Sequence, residues 1–140
     1  ALDAAIAIGI EHGGWCPAGR ISEDGTIPSR YELTETDSPD YPTRTQQNVV
    51  DSDATLILYE QKLKGGTLLT RKICKTQMAP YCLVRLDHDT EAKQDKAVKE
   101  VRQWLQETRP ATLNVAGPRE SNYPGIAERS LQFLLQVFTR

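Results

Sequence analysis

The chain has 140 residues, of which 39% are hydrophobic and 26% are charged, and its formal net charge is −2. These values are typical of one globular domain, and they exclude a disordered chain and a broad basic surface for nucleic acid. No apolar run approaches the roughly 18 residues of a membrane span, and no secretory leader is visible, so we predict a cytoplasmic protein without a membrane partner.

Cysteine and histidine usage argues against metal sites and disulfides. Cys16, Cys74 and Cys82 are odd in number, and their spacing fits neither a zinc motif nor a disulfide framework. The chain has only two histidines. We therefore predict free, buried thiols and no transition-metal site built from protein ligands alone.

The first third of the chain combines a short helix with a long polar connection. Residues 1–8 favour a helix that ends at Gly9, and residues 10–15 are consistent with a short strand. Residues 16–47 are polar and contain four prolines, which predicts a long loop acting as a lid or a partner-contact arm. A short helix is expected over 43–50.

The rest of the chain alternates apolar strands with helices. Three apolar runs predict strands that are buried on both faces, namely 55–59, 81–86 and 112–116. Helices are expected over 68–77, over 90–109 and from about Pro124, the last one capped by Ser121 or Asn122. This alternation predicts a single α/β domain over 1–140, with a mostly parallel sheet covered on both faces.

The sharpest motif is Lys64-Gly65-Gly66-Thr67, which follows a predicted strand and leads into a helix. Glycines let backbone N–H groups approach an anion, and a helix start adds partial positive charge. Lys64 supplies a cation and Thr67 a hydroxyl. The motif predicts either a phosphate cradle or a flexible turn in which Thr67 is the N-cap.

Two further loops are expected at the same edge, because ligands of open α/β sheets bind beyond the carboxyl ends of the strands. Gly117 and Arg119 follow the last strand, and the guanidinium would either take a phosphate or lie on the surface. Gly13, Gly14 and Trp15 close the first strand, and the indole would either contact a ligand ring or join the core.

Arg44 and Asn48 are four residues apart in the short predicted helix, so they share one of its faces. That face either lines the site or is solvated.

The stretch His12–Arg20, with the sequence HGGWCPAGR, resembles the signature of the molybdenum carrier family. Residues 44–56, Gly65-Gly66-Thr67 and 113–119 are similar to that family too. The family resembles a wider Rossmann-like superfamily that includes the lysine-decarboxylase-like, cytokinin-activating phosphoribohydrolases. The resemblance implies a Rossmann-like three-layer α/β/α fold, and a molybdenum cofactor of the molybdopterin type or a nucleotide held over Gly65-Gly66-Thr67.

The chain departs from the family pattern at two points. Family members usually begin with a strand and a glycine-rich loop before the first helix, whereas this sequence begins at the helix, so we expect the first strand of the sheet upstream of Ala1. The phosphoribohydrolases carry a glutamate three residues after the motif threonine, and Thr70 stands there instead. The expected catalytic carboxylate is therefore missing from that position.

We accordingly predict a carrier that binds a phosphate-bearing small molecule rather than an enzyme. Gly65-Gly66-Thr67 would hold the phosphate, Gly117 and Arg119 would form the facing wall, and residues 13–15 would line the ring end. The alternatives are a nucleotide-processing hydrolase of phosphoribohydrolase type and a sensor domain for a nucleotide signal. The hydrolase would need an acid or base from Glu60, Asp87 or Glu120. A homo-oligomer is expected, because the long loop and the exposed helices need cover.

Overall fold

The computed structural model describes residues 1–139, which form five helices and seven strands. The helices are α1 (Leu2–Ile8), α2 (Tyr41–Val50), α3 (Gly65–Thr76), α4 (Glu91–Thr108) and α5 (Ile126–Phe138). The strands are β1 (Trp15–Cys16), β2 (Ile21–Ser22), β3 (Gly25–Thr26), β4 (Thr34–Glu35), β5 (Ala54–Tyr59), β6 (Tyr81–Arg85) and β7 (Leu113–Ala116). No helix within 1–139 is long and apolar enough to cross a membrane.

The main sheet has three parallel strands in the order β6-β5-β7. Leu56 of β5 lies opposite Cys82 on one side and Val115 on the other. Helices follow β5, β6 and β7 in turn and cover both faces of the sheet. The prediction of a Rossmann-like α/β fold is confirmed.

The two faces of β5 differ in chemistry because successive side chains of a strand point to opposite sides. Leu56 and Leu58 belong to the large apolar core, which they share with α1, α4 and α5. Phe133 of α5 and Val101 of α4 are its most buried helix residues, at 0% exposure each. The opposite face is covered by α3, and α2 packs on α3.

The layer under α3 is built from small and polar side chains. Thr67, Thr70 and Cys74 of α3 are buried there, and the Cys74 thiol lies near the Thr55 side chain of β5. Burial raises the pKa of this thiol, as it does for Cys16. Cys74 and Cys16 are free and buried as predicted, whereas the third cysteine, Cys82, is free but only half-buried.

Two strands that the sequence predicts to be buried on both faces are edges of the described sheet. β6 and β7 each pair with β5 alone. Their side chains are mostly half-buried, and Leu83 of β6 is exposed. An unbroken apolar run therefore marks a strand of this sheet without distinguishing its centre from its edge.

The strand predicted over residues 10–15 is wrong, because only Trp15 and Cys16 are extended and they lie outside the main sheet. This short β1 pairs in parallel with β4 instead. Residues 10–14 take part in no strand pairing, and the His12 ring instead accepts from the Glu32 N–H at 3.2 Å.

Residues 17–40, which we call the arm, are ordered despite their polar composition. They contain the β2–β3 hairpin and β4, and they end at Asp40, which caps α2 by accepting from the Thr43 N–H at 2.8 Å. Helix α2 thus begins within the region predicted as a loop.

One side chain, Arg20, holds the arm together. Its guanidinium donates to the backbone carbonyls of four arm residues, Ile27, Pro28, Tyr31 and Leu33, at 2.9–3.3 Å. The arm also touches the rest of the fold through two side-chain hydrogen bonds, Tyr31 to Asp3 of α1 and Ser121 to Glu23 of the hairpin. The arm is therefore ordered mainly by hydrogen bonds.

We expect Arg20→Gln to loosen the arm without loosening the sheet, because amide groups of glutamine cannot reach four carbonyls at once. Arm amides should exchange with solvent at least about tenfold faster, while β5 amides keep their rates. Hydrogen exchange measures both. Arg30→Gln is the matched control, because Arg30 is exposed and donates to the Tyr31 hydroxyl rather than to the carbonyls of the arm. Equal acceleration in both variants would contradict the role given to Arg20.

Candidate functional site

Helix α3 starts at the carboxyl edge of the sheet with an uncapped N-terminus. It begins at Gly65, three residues before the predicted start, and Lys64 in the N-cap position makes no side-chain cap. Gly65 has a φ of +57°, and a Cβ added at Gly65 or Gly66 would meet no atom within 4 Å. The first N–H groups of a helix have no acceptor in the helix itself. They therefore face open space here.

Thr67 does not cap this helix. It is the third helical residue and is buried, so the N-cap interpretation of Thr67 is wrong. Thr70, one turn on, donates its hydroxyl to the Gly66 carbonyl at 2.9 Å. The two threonines pack the first turn of α3 onto the sheet, and the backbone of Gly65 and Gly66 remains the accessible part.

The neighbouring long helices are capped by side chains. Asp40 caps α2 and the Thr90 hydroxyl caps α4 by accepting from the Lys93 N–H. At α5 the Glu120 carboxylate accepts from the N–H groups of Gly125 and Ala127. The predicted cap by Ser121 or Asn122 is therefore wrong, and α5 begins at Ile126. Helix α3 differs from these three in leaving its N–H groups uncovered.

Two cations lie at this edge. Arg119 belongs to the single turn that follows β7, and Lys64 directly precedes α3. The N–H groups of Asn122 and Tyr123 both donate to the Arg119 carbonyl, at 3.0 and 3.3 Å. The Arg119 guanidinium lies 4.6 Å from the ring centroid of Tyr41, at the start of α2. The Lys64 ammonium lies 5.1 Å from the ring centroid of Tyr123.

Arg44 joins the same cluster from α2. Its guanidinium lies 5.5 Å from the Tyr41 ring centroid, and its Nε is buried without a hydrogen-bond partner among the described residues. Burial lowers the pKa of Arg44, and the positive charge of Arg119 lowers it further. Within residues 1–139, neither Arg44, Arg119 nor Lys64 forms an ion pair.

We call Lys64, Arg44 and Arg119 the cation cluster. Sequence analysis selects all three residues but not the tyrosines beneath them, Tyr41 and Tyr123. Each tyrosine is far along the chain from at least one of the cations that it supports, so no local spacing signals the contacts.

Gly14, Trp15 and Asn48 form a clamp between β1 and α2. The Asn48 side chain accepts from the Trp15 N–H at 2.7 Å and donates to the Trp15 carbonyl at 3.2 Å. The indole N–H donates to Asp51 at 2.5 Å. A Cβ on Gly14 would lie 3.1 Å from the Asn48 oxygen. These polar groups therefore already have hydrogen-bond partners within the protein. At the preceding Gly13, an added Cβ would lie 3.7 Å from the Glu32 carbonyl oxygen.

Gly117 allows close packing where β7 ends. A Cβ there would lie 3.2 Å from the Leu58 carbonyl. The residue also lines a cavity of about 210 Å³ between β7, α1 and α5. A larger cavity of about 420 Å³ lies between the start of α4 and α5, and none of the predicted site residues lines it. None of the three residues of the cation cluster lines either of these cavities.

The ion pair of Glu60 and Arg129 ties the loop after β5 to the loop after β7. Glu60 is 5% exposed and accepts from Arg129 Nε at 2.7 Å and Nη2 at 2.5 Å. Arg129 also donates to the Pro124 carbonyl at 3.2 Å. Through Arg129 of α5, the loop after β5, which carries Lys64, is therefore joined to the segment after β7, which carries Arg119.

The other two carboxylates of the edge are also engaged. Arg85 donates to Asp87 through two nitrogens, at 2.7 and 2.9 Å, and lowers the pKa of that carboxyl to about 2. The N–H groups of Ala127 and Gly125 lower the pKa of Glu120. No group of three or more His, Cys, Asp or Glu within 1–139 is arranged to hold a metal ion.

Gly14→Ala should destabilise the fold more than Gly13→Ala. Gly14 has a φ of +128° and a close contact with Asn48, whereas Gly13 has neither. We expect losses of about 1–3 kcal/mol for Gly14→Ala and under about 1 kcal/mol for Gly13→Ala in the free energy of unfolding. Urea denaturation measures both. Equal losses would show that the clamp does not depend on the backbone of Gly14.

The comparisons with known proteins agree with this architecture. Residues 1–138 match the profile of the circularly permutated YpsA SLOG family, cpYpsA. A crystal structure of a putative molybdenum carrier protein from Syntrophus aciditrophicus SB is 38% identical, with a TM-score of 0.92, over 100% of this chain and 86% of that chain. The search of curated proteins gives no match. The predicted resemblance to the molybdenum carrier family is confirmed.

Proposed function

Because the chain belongs to the circularly permutated YpsA SLOG family, we propose that it binds a phosphate-bearing ligand at the carboxyl edge of its sheet. The observation that carries the proposal is the cation cluster beside the uncapped start of α3. The ligand classes are those implied by the resemblance, a molybdopterin-type cofactor or a nucleotide. The name of the solved relative from Syntrophus aciditrophicus SB favours the cofactor and hence a carrier.

Electrostatics support an anionic ligand. Three cations without carboxylate partners lie beside a helix N-terminus, which itself carries about half a positive charge. The chain as a whole has a formal net charge of −2. This edge therefore carries positive charge that no ion pair within residues 1–139 neutralises, as expected for recognition of a small anion.

The carboxylates at this edge already form hydrogen bonds within the protein, which favours a ligand-binding function over a hydrolase. Glu60 is buried in its pair with Arg129, and hydrogen bonds hold the pKa values of Asp87 and Glu120 low. A general acid or base for neutral pH needs a pKa near the working pH. Thr70 occupies the position of the phosphoribohydrolase glutamate, and its hydroxyl is bonded to Gly66. We therefore rank the hydrolase below the carrier.

A sensor domain is the second candidate, and one contact favours it. Ser121, in the turn between Arg119 and Tyr123, donates to Glu23 at the tip of the arm hairpin at 2.6 Å. A ligand that shifts this turn would also shift the hairpin. Cytoplasmic location and self-association stay predictions.

Gly66→Ala tests the proposed site without a cost in folding. The new methyl group would project into open space, and alanine in place of helical glycine raises the free energy of unfolding by up to about 1 kcal/mol. We expect affinity for AMP and for inorganic phosphate to fall at least about tenfold, because the methyl group blocks approach to the N–H groups. Calorimetric titration measures the affinities, and urea denaturation checks the fold. Unchanged affinity would place the anion elsewhere.

Native mass spectrometry of the purified protein, without added ligand, separates the ligand classes. An adduct with the mass of a molybdenum-bearing pterin supports the carrier. A nucleotide adduct argues against that role and favours the sensor, because Glu60, Asp87 and Glu120 are all engaged in hydrogen bonds within the protein.

A further inference from the structure

The turn between Arg119 and Tyr123 carries two cation–aromatic pairs that belong to different parts of the fold. Arg119 lies over Tyr41 of α2, and Tyr123 lies under Lys64 at the start of α3. Because the N–H groups of Asn122 and Tyr123 both donate to the Arg119 carbonyl, the segment forms one helical turn. Residues four apart on such a turn have Cβ atoms about 5–6 Å apart. The two pairs are therefore neighbours.

A buried polar atom without a partner among the described residues lies in the first pair and another lies beside the second. Tyr123 is only 8% exposed, and its hydroxyl makes no hydrogen bond. On the other side, Arg44 shares the Tyr41 ring with Arg119, and its Nε is buried and unpaired. Buried polar groups in folded proteins almost always have a partner, so an unsatisfied one requires an explanation. A ligand oxygen at each position would supply the partner.

The positive charges of the site also fall into two groups, one beside each of the two cation–aromatic pairs. Lys64 and the N–H groups of Gly65 and Gly66 form one positive group. Arg44 and Arg119 form the other, with both guanidinium groups against the single ring of Tyr41 and no carboxylate between them in the described chain. Two positive charges against one ring repel each other, and an anion bound beside both would offset that repulsion. One phosphate beside Lys64 would leave the arginine pair uncompensated.

We propose that the ligand carries two linked anionic groups, of the diphosphate class, and that each group has its own subsite. The first subsite is the start of α3 with Lys64 and the Tyr123 hydroxyl. The second subsite is the pair Arg44 and Arg119. This inference rests on the proposed function, and it adds that a diphosphate is preferred over a monophosphate. Lys64 and Tyr123 are then ligand-binding residues of the first subsite.

A length series of inorganic anions tests the two subsites. Phosphate, pyrophosphate and tripolyphosphate are titrated calorimetrically into the full chain at one fixed ionic strength. We expect pyrophosphate to bind at least about tenfold more tightly than phosphate, since it engages one further charged subsite. The double variant Arg44→Gln/Arg119→Gln should lose this advantage, so that pyrophosphate binds no more tightly than phosphate, while phosphate still binds at the first subsite. Lys64→Gln should weaken all three anions.

A matched control separates subsites from overall charge. Lys96→Gln/Lys99→Gln on α4 also removes two positive charges, both of them exposed, and should keep the advantage of pyrophosphate. Tyr123→Phe removes only the unpaired hydroxyl, so it should keep the fold and weaken phosphate binding about threefold or more.

The outcomes distinguish this inference from the proposed function. Equal affinity of the unmodified protein for phosphate and pyrophosphate would overturn the two subsites and leave the phosphate site standing. Loss of the advantage in the α4 control would overturn them as well, because the preference would then follow net charge. Failure of all three anions to bind would overturn the proposed function itself.

Discussion

Strand β5 has neighbours on every side within residues 1–139. It pairs with β6 and β7 along its edges, and helices cover both of its faces. Its alternating side chains divide the interior into a large apolar core on the side of α1, α4 and α5 and a smaller, polar layer under α3. Because the strands are parallel, the loops after β5 and β7 leave the sheet at the same edge. The pair of Glu60 and Arg129 then fixes those loops to each other.

The sequence predicts the elements that bury apolar surface and fails where polar contacts decide the conformation. The apolar run around β5 and the helical spacing of α4 identify those elements to within a few residues, because their burial repeats along the chain. β1 and the arm have no such repeat. Their order depends on Asn48 and on Arg20, whose partners lie 7 to 33 residues away. The sequence predicts the start of α3 three residues too late, because glycines usually mark loops rather than the first turn of a helix.

The candidate site is likewise only partly predictable from the sequence. Sequence analysis selects Arg44 and Arg119 as separate possibilities, and their meeting over Tyr41 depends on how α2 packs. Conversely, the stretch that carries the family resemblance, residues 12–20, contributes mainly to folding. The Trp15 N–H donates to the Asn48 side chain, and Arg20 donates to backbone carbonyls of the arm. The family pattern therefore includes Arg44 and Arg119 of the cation cluster. It also includes Trp15, which hydrogen-bonds to Asn48 on the helix that carries Arg44.

The way Arg20 holds the arm has a thermodynamic consequence. Heat-capacity change on unfolding comes mainly from exposure of apolar surface. An arm ordered by one guanidinium and four carbonyls buries little such surface, so its order is gained mainly as enthalpy. We therefore expect the free energy that orders the arm to fall almost linearly with temperature, while that of the sheet around β5 follows the curved profile of an apolar core. The hairpin that touches the site through Ser121 therefore becomes mobile at temperatures where the sheet is still intact.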